Sequence, residues 1–248
     1  MTRIASHRGG TLEYGDSTPA GFRATAQMAV EEVEFDLHPT ADGAIIVHHD
    51  ATLDKTTDSK GAIVTMTKAQ VCEATINCSG GAHPLTLPQL CAIFRDSPVD
   101  FRCEIKPGPD GLPYPGFVAQ VVDALEGEGM VQRTTFSSFL IATLDDLALT
   151  IDRPRLWLVS PPVLRQLGPK AMLELAQAYE VPEIGVHVDT ADAALRAQVQ
   201  DAGLDFGVWA AHTADQIDAA LDLGVKVFTT DRPSLAIARR AARTAPAT

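Results

Sequence analysis

Along most of the chain a short apolar run is followed by a longer amphipathic stretch and then by another short apolar run. This alternation restricts the fold more than any other feature. Apolar runs of this kind are buried on both faces only in a parallel sheet, and parallel strands need the crossover helices that the amphipathic stretches can supply. Strands are expected at 3–6, 33–37, 45–48, 101–105, 134–136, 155–159, 184–188, 206–209 and 226–228. Helices are expected at 19–30, 116–126, 139–148, 169–179, 191–202, 214–223 and 233–242. Thr18 before Pro19 marks a helix start. Thr67 with Gln70, Thr86 with Gln89 and Thr213 with Gln216 form capping-box pairs, and Gly203 and Gly224 stand where helices should stop. No glycine-rich dinucleotide fingerprint follows the first strand, which favours a TIM-type (β/α)8 barrel over an open doubly wound sheet. A chain of 248 residues suits one such domain, 1–248.

The second unit is irregular. Nine strand candidates compete for eight barrel places, and the link from Asp36 to Ile45 is too short for a crossover helix. Either that unit lacks its helix or one of the two segments is a hairpin arm. Residues 54–90 form the longest connection and are expected as a small insertion over the C-terminal mouth of the barrel. The tail 242–248 is expected to fray.

Charge narrows the partners. A net charge of −12 is the wrong sign for gripping nucleic acid or an anionic membrane surface. A small anionic substrate is still compatible, because a bound cation reverses the local field. There is no membrane-length apolar run and no signal-peptide pattern at Met1, so a cytoplasmic protein without stable membrane association is expected. Cys72, Cys78, Cys91 and Cys103 lack zinc-ligand spacing and are expected as small buried hydrophobes.

Ionisable residues gather at four strand ends: His7-Arg8-Gly9, Glu34-Phe35-Asp36, His49-Asp50 and Glu104-Ile105-Lys106. Side chains two apart on a strand share a face, so Glu34 and Asp36 converge, as do Glu104 and Lys106. Three carboxylates at one barrel rim repel unless paired, and a hard cation such as Mg²⁺ or Ca²⁺ resolves that repulsion through oxygen ligands. His7 and His49 suit paired acid–base work near neutral pH, and Arg8 and Lys106 suit phosphate oxygens. Taken singly, each feature also has a plainer reading: a surface pair, a hydrogen-bonded structural histidine or an ordinary ion pair. His38 and His48 are read as structural. His83, His187 and His212 have no partner that spacing identifies.

As an ordered set these residues resemble the glycerophosphodiester phosphodiesterase family. The matching motifs are His7-Arg8-Gly9, Glu34-Phe35-Asp36, Thr40-Ala41-Asp42-Gly43, His49-Asp50-Ala51-Thr52-Leu53 and Glu104-Ile105-Lys106. Lys55-Thr56-Thr57, Pro84-Leu85-Thr86-Leu87, Ser138-Phe139 and Thr230-Asp231-Arg232-Pro233 extend the likeness over nearly the whole chain. The resemblance implies a TIM barrel with one divalent cation on Glu34, Asp36 and Glu104. It makes His7 and His49 catalytic, with Arg8 and Lys106 holding the phosphate. The implied reaction is hydrolysis of a glycerophosphodiester to sn-glycerol 3-phosphate and an alcohol. Two positions depart from the pattern. Asp16-Ser17-Thr18 stands for Glu-Asn-Thr, so a shorter acid would have to support the arginine. Trp209 is followed by Ala210-Ala211-His212 where the family often shows Thr-Val-Asn. Trp209 is expected at the mouth, either packing against substrate or as a half-buried rim aromatic. His212 in place of the amide bears on leaving-group selectivity. Phospholipase-D-like or cyclising action on a lysolipid, and non-catalytic binding of a phosphorylated ligand, are the alternatives.

Overall fold

The computed structural model describes residues 1–244. Its strands are β1 (Arg3–His7), β2 (Glu32–Pro39), β3 (Ile45–Val47), β4 (Leu85–Thr86), β5 (Asp100–Ile105), β6 (Thr134–Ser138), β7 (Arg155–Val159), β8 (Glu183–His187), β9 (Asp205–Trp209) and β10 (Val227–Thr230). The helices are α1 (Thr11–Tyr14), α2 (Pro19–Thr25), α3 (Lys68–Glu73), α4 (Leu87–Phe94), α5 (Phe117–Gly127), α6 (Ile141–Thr150), α7 (Pro161–Ala178), α8 (Ala193–Asp201), α9 (Ala214–Leu223) and α10 (Pro233–Thr244). Parallel pairing runs β1-β10-β9-β8-β7-β6-β5-β2, and a β1–β2 pairing closes the ring. The result is an eight-stranded parallel barrel wrapped by helices, as the alternation predicts.

The supernumerary strand is a hairpin arm. β3 pairs antiparallel with β2, and β4 antiparallel with β3, both outside the ring. β2 extends to Pro39, and the Thr40 N–H closes the reversal on the Ala44 carbonyl at 2.8 Å. The helix missing after β2 is deferred: α4 packs between α2 and α5 as the crossover to β5. Residues 87–90 therefore belong to the helical wall and not to the insertion. The insertion proper has its own small core of Ile46, Leu53, Ile63, Val71 and Ala74.

Local signals act as expected at several helix ends. Gln70 and Gln216 return to the backbone N–H of Thr67 and Thr213, whose hydroxyls accept from the glutamine N–H. Gly224 ends α9 at φ +65°. α5 turns Phe117, Val118, Val121, Val122 and Leu125 inward, each worth about 1.5–3 kcal/mol on burial. The helix expected at 169–179 is the second part of α7, which breaks at Gly168 (φ 71°) before Pro169. α10 continues to Thr244, past the start of the expected frayed tail, and 245–248 lie outside the described residues. Cys91 and Cys103 are buried, but Cys72 is half-buried and Cys78 exposed, because both lie on the polar insertion. Among the described residues no helix is long and apolar enough to cross a membrane.

Candidate active site

Period-two alternation builds the floor of the site. On β2, Val33, Phe35 and Leu37 pack outward into the core while Glu32, Glu34 and Asp36 turn inward. On β5, Phe101, Cys103 and Ile105 pack outward while Arg102 and Glu104 turn inward, followed by Lys106. Strand register then aligns His7 with Glu34 and Asp36 with Glu104. Carboxylate oxygens of Glu34, Asp36 and Glu104 lie within 4.8 Å of one another, and all three residues are buried.

Two cations face this cluster. Lys106 Nζ is 2.9 Å from Glu104 Oε1 and 3.3 Å from Asp36 Oδ1. Arg8 Nε is 3.1 Å from Asp36 Oδ2, and its Nη1 donates to Asp16 Oδ2 at 2.8 Å. Asp16 thus supports the arginine despite its shorter arm. Burial pushes the Glu34 carboxyl well above the usual carboxylate range, with Asp36 adding to the effect. Burial also pushes Glu104 up to about 7, against the opposing pull of Lys106. For Asp36, burial is overcome by Lys106 and Arg8, which hold it below the usual range. Two carboxyls driven toward the neutral form mark a site short of positive charge. Asp36 Oδ2 and Glu104 Oε1 are buried and meet Arg8 and Lys106 as ion pairs without aligned hydrogen bonds. This donor set of hard oxygens fits an Mg²⁺- or Ca²⁺-type ion.

The two histidines are each oriented by a carboxylate. His7 Nδ1 donates to Asp231 Oδ1 at 2.5 Å, which leaves the Nε2 lone pair 3.7 Å from Glu34 Oε2. His49 Nδ1 donates to Asp50 Oδ1 at 2.9 Å. Burial lowers the His49 pKa, although Asp36 opposes the shift. His7 is followed by three residues of positive φ: Arg8 (50°), Gly9 (79°) and Gly10 (87°). A Cβ on Gly9 would meet the Gly21 carbonyl carbon and the Phe22 nitrogen at 2.9 Å, so only glycine lets this turn pack against α2.

His49 arrives by a different route from the one expected. It does not end a barrel strand, because β3 runs antiparallel to β2. β2 overshoots the rim, the hairpin folds back, and the His48 N–H bonds the Asp36 carbonyl at 3.0 Å, which sets His49 beside the acidic cluster. His38 and His48 are structural, as read, and they hold this return. His38 Nε2 donates to the His49 carbonyl at 3.1 Å, while its Nδ1 accepts from the Tyr114 hydroxyl at 2.9 Å. Burial drives the His38 pKa down to about 4, which keeps it neutral for that role. His48 bridges the Asp50 carbonyl and the Thr56 hydroxyl.

All eight expected site residues meet around one mouth. His7, Arg8, Glu34, Glu104 and Trp209 line a cavity of about 210 Å³, Asp36 lies buried beneath it, and His49 and Lys106 line both it and an outer groove. Trp209 is half-buried, edge-on to Phe139 (5.6 Å) and His187 (4.7 Å). Three residues from the motifs and their departures, not among these eight, join the site: Asp231, Asp50 and His212. Asp231 lies far along the chain from His7, so only its place in Thr230-Asp231-Arg232-Pro233 signalled it. Asp50 adjoins His49 and could have been read as its partner. His212, which in the sequence departs from the family's amide, lies 5.7 Å from His7, ring to ring.

Comparison with known proteins agrees with this arrangement. The model of the glycerophosphoryl diester phosphodiesterase family matches residues 7–235. A glycerophosphodiester phosphodiesterase of Caldanaerobacter subterraneus subsp. tengcongensis is 27% identical over 151 residues. That match covers 59% of this chain and 61% of the relative, so it spans less than two thirds of the relative's length. A crystal structure from Agrobacterium tumefaciens str. C58, of a protein whose name places it in the same family, is 70% identical. Its TM-score is 0.98, with 99% of this chain and 100% of that one covered. An Oleispira antarctica phosphodiesterase, solved with the product sn-glycerol-3-phosphate, shares the fold at TM-score 0.78 and 18% identity, covering 97% of each chain. With the family model spanning the site from His7 to beyond Asp231, this chain belongs to the glycerophosphoryl diester phosphodiesterase family.

Proposed function

We propose that residues 1–248 act as one barrel unit that hydrolyses glycerophosphodiesters to sn-glycerol 3-phosphate and an alcohol. Carrying this reading is one observation: two carboxylate-oriented histidines beside three clustered acids and two half-buried cations. Glu34, Asp36 and Glu104 would hold the divalent cation. When bound, it supplies positive charge against the non-bridging phosphoryl oxygens. Arg8 and Lys106 bind those oxygens and fix the diester in place. One of His7 and His49 accepts the proton of the attacking hydroxyl, from water or from the neighbouring glycerol hydroxyl. In the second case the first displacement leaves a cyclic phosphate, and water opens it in a second displacement to give glycerol 3-phosphate. As the new P–O bond forms and the ester bond breaks, the other histidine protonates the departing alkoxide. Asp231 and Asp50 keep each imidazole in the required tautomer. The likeness to a relative that binds sn-glycerol-3-phosphate supports the product assignment.

The test measures glycerol 3-phosphate release from glycerophosphocholine and glycerophosphoethanolamine with Mg²⁺, Ca²⁺ or chelator. Release should need the cation, and His7→Ala and His49→Ala should each lower kcat by about 10²–10⁴-fold. No release from either compound with a cation bound would refute the reading. Leu12 on α1, which follows β1, and Leu112 on the loop after β5 are exposed and are the reason to include a lysolipid in the same assay.

A further inference from the structure

The reacting phosphate has two ester arms, and the structure offers two spaces for them. His49 and Lys106 line both. The outer groove, about 420 Å³, runs between residues 50–55 and 107–109, where Lys55 is largely exposed. The inner cavity, about 210 Å³, is walled by Phe139, Leu158, Trp209 and Ala210 at the ends of barrel strands. A loop-walled groove suits the arm that varies between substrates. A cavity walled by strand ends suits the arm of constant size, which is the glycerol.

A glycerol arm brings hydroxyls into a largely apolar space, where each needs a partner. Ser137 Oγ and Trp209 Nε1 also border the cavity, but both atoms are buried out of reach. His212 remains. Its Nδ1 accepts the Asp231 backbone N–H at 3.0 Å. The Asp231 carboxylate also lies 3.4 Å from Nδ1 and would favour a proton there. A backbone N–H can only donate, so the shorter, aligned bond decides, and the proton sits on Nε2. Nε2 has no protein partner among the described residues, and the side chain is 27% exposed at the cavity wall. We propose that His212 is a specificity-determining residue whose Nε2–H donates to a free hydroxyl of the glycerol arm held in the inner cavity.

This inference rests on the phosphodiesterase reading, so its test carries a binding arm independent of turnover. Calorimetry with Mg²⁺ present compares sn-glycerol 3-phosphate with propyl phosphate, which lacks both hydroxyls. Kinetics compares glycerophosphocholine with propyl phosphocholine. Wild type should favour the hydroxylated compound in both arms. His212→Ala and His212→Phe should shrink that preference by roughly ten-fold. His212→Asn, which keeps a donor, should restore most of it. Equal losses on both compounds would show that His212 acts only through Asp231 and His7, and would overturn the proposal. Absence of preference in wild type would do the same. Preferential binding without cleavage of either diester would leave His212 in its role and refute the hydrolytic reading instead.

Discussion

Asp231 and Asp50 turn two ordinary imidazoles into oriented ones. Each carboxylate accepts a hydrogen bond from the Nδ1–H and so leaves the Nε2 lone pair available. Asp231→Asn keeps the shape but can donate to Nδ1 and stabilise the wrong tautomer. It should lower kcat by about 10²–10⁴-fold with little change in KM, as steady-state kinetics would show. Glu104 makes a pH prediction. In the folded chain its carboxyl keeps a proton up to about pH 7, whereas in the unfolded chain it loses that proton near the usual 4.5. Unfolding therefore releases a proton between these values, and stability of the metal-free protein should fall as pH rises from about 4.5 to about 7. A bound divalent cation replaces that proton and should flatten the slope. Thermal melts across this range, with chelator and with Mg²⁺, would reveal a slope of the opposite sign if the charge balance is misread.

At the scale of elements, the β2–β3 hairpin does what a barrel strand does elsewhere: it delivers a histidine to the mouth. Its register is locked by the His48 N–H on Asp36 and by the His38–Tyr114 pair on the His49 carbonyl. Tyr114→Phe removes the donor to His38 and leaves a buried Nδ1 unsatisfied, at a cost of about 1–3 kcal/mol. The expected result is a several-fold lower kcat, with cation affinity by calorimetry unchanged, since no acid of the cluster touches Tyr114. Loss of cation affinity would mean that the hairpin also shapes the acidic cluster.

The whole barrel has an unusually polar interior. Beneath the acidic cluster, Arg102 donates to Glu32 at 2.6 Å and to Glu183 at 3.1 Å, and Lys226 reaches Glu183 at 2.5 Å. Arg102 is 2% exposed. Arg102→Ala takes one cation from each of two buried carboxylates, leaving Glu32 with Arg3 and Glu183 with Lys226. It should cost about 1–3 kcal/mol in denaturant unfolding, because each acid keeps a partner but loses a buried donor. A loss below about 1 kcal/mol would show that water reaches this layer. Glu32 and Arg102 obey the same two-residue period as Glu34 and Glu104, so their inward direction was readable. Their ion pairing was not, because Glu183 comes from the opposite half of the chain.

Sequence alone determined the strand–helix alternation, most helix ends and the convergence of Glu34 with Asp36, because these depend on periodicity and on caps a few residues apart. The ordered motifs likewise carried His7, Arg8, Glu104 and Lys106 to strand ends. Tertiary structure decided which candidate strand lies outside the ring, how His49 reaches the mouth, and which acid orients His7. Those outcomes depend on closure of the sheet and on pairing between residues distant in the chain, such as His7 and Asp231. Local propensity holds no record of such contacts, because they form only when the ring closes.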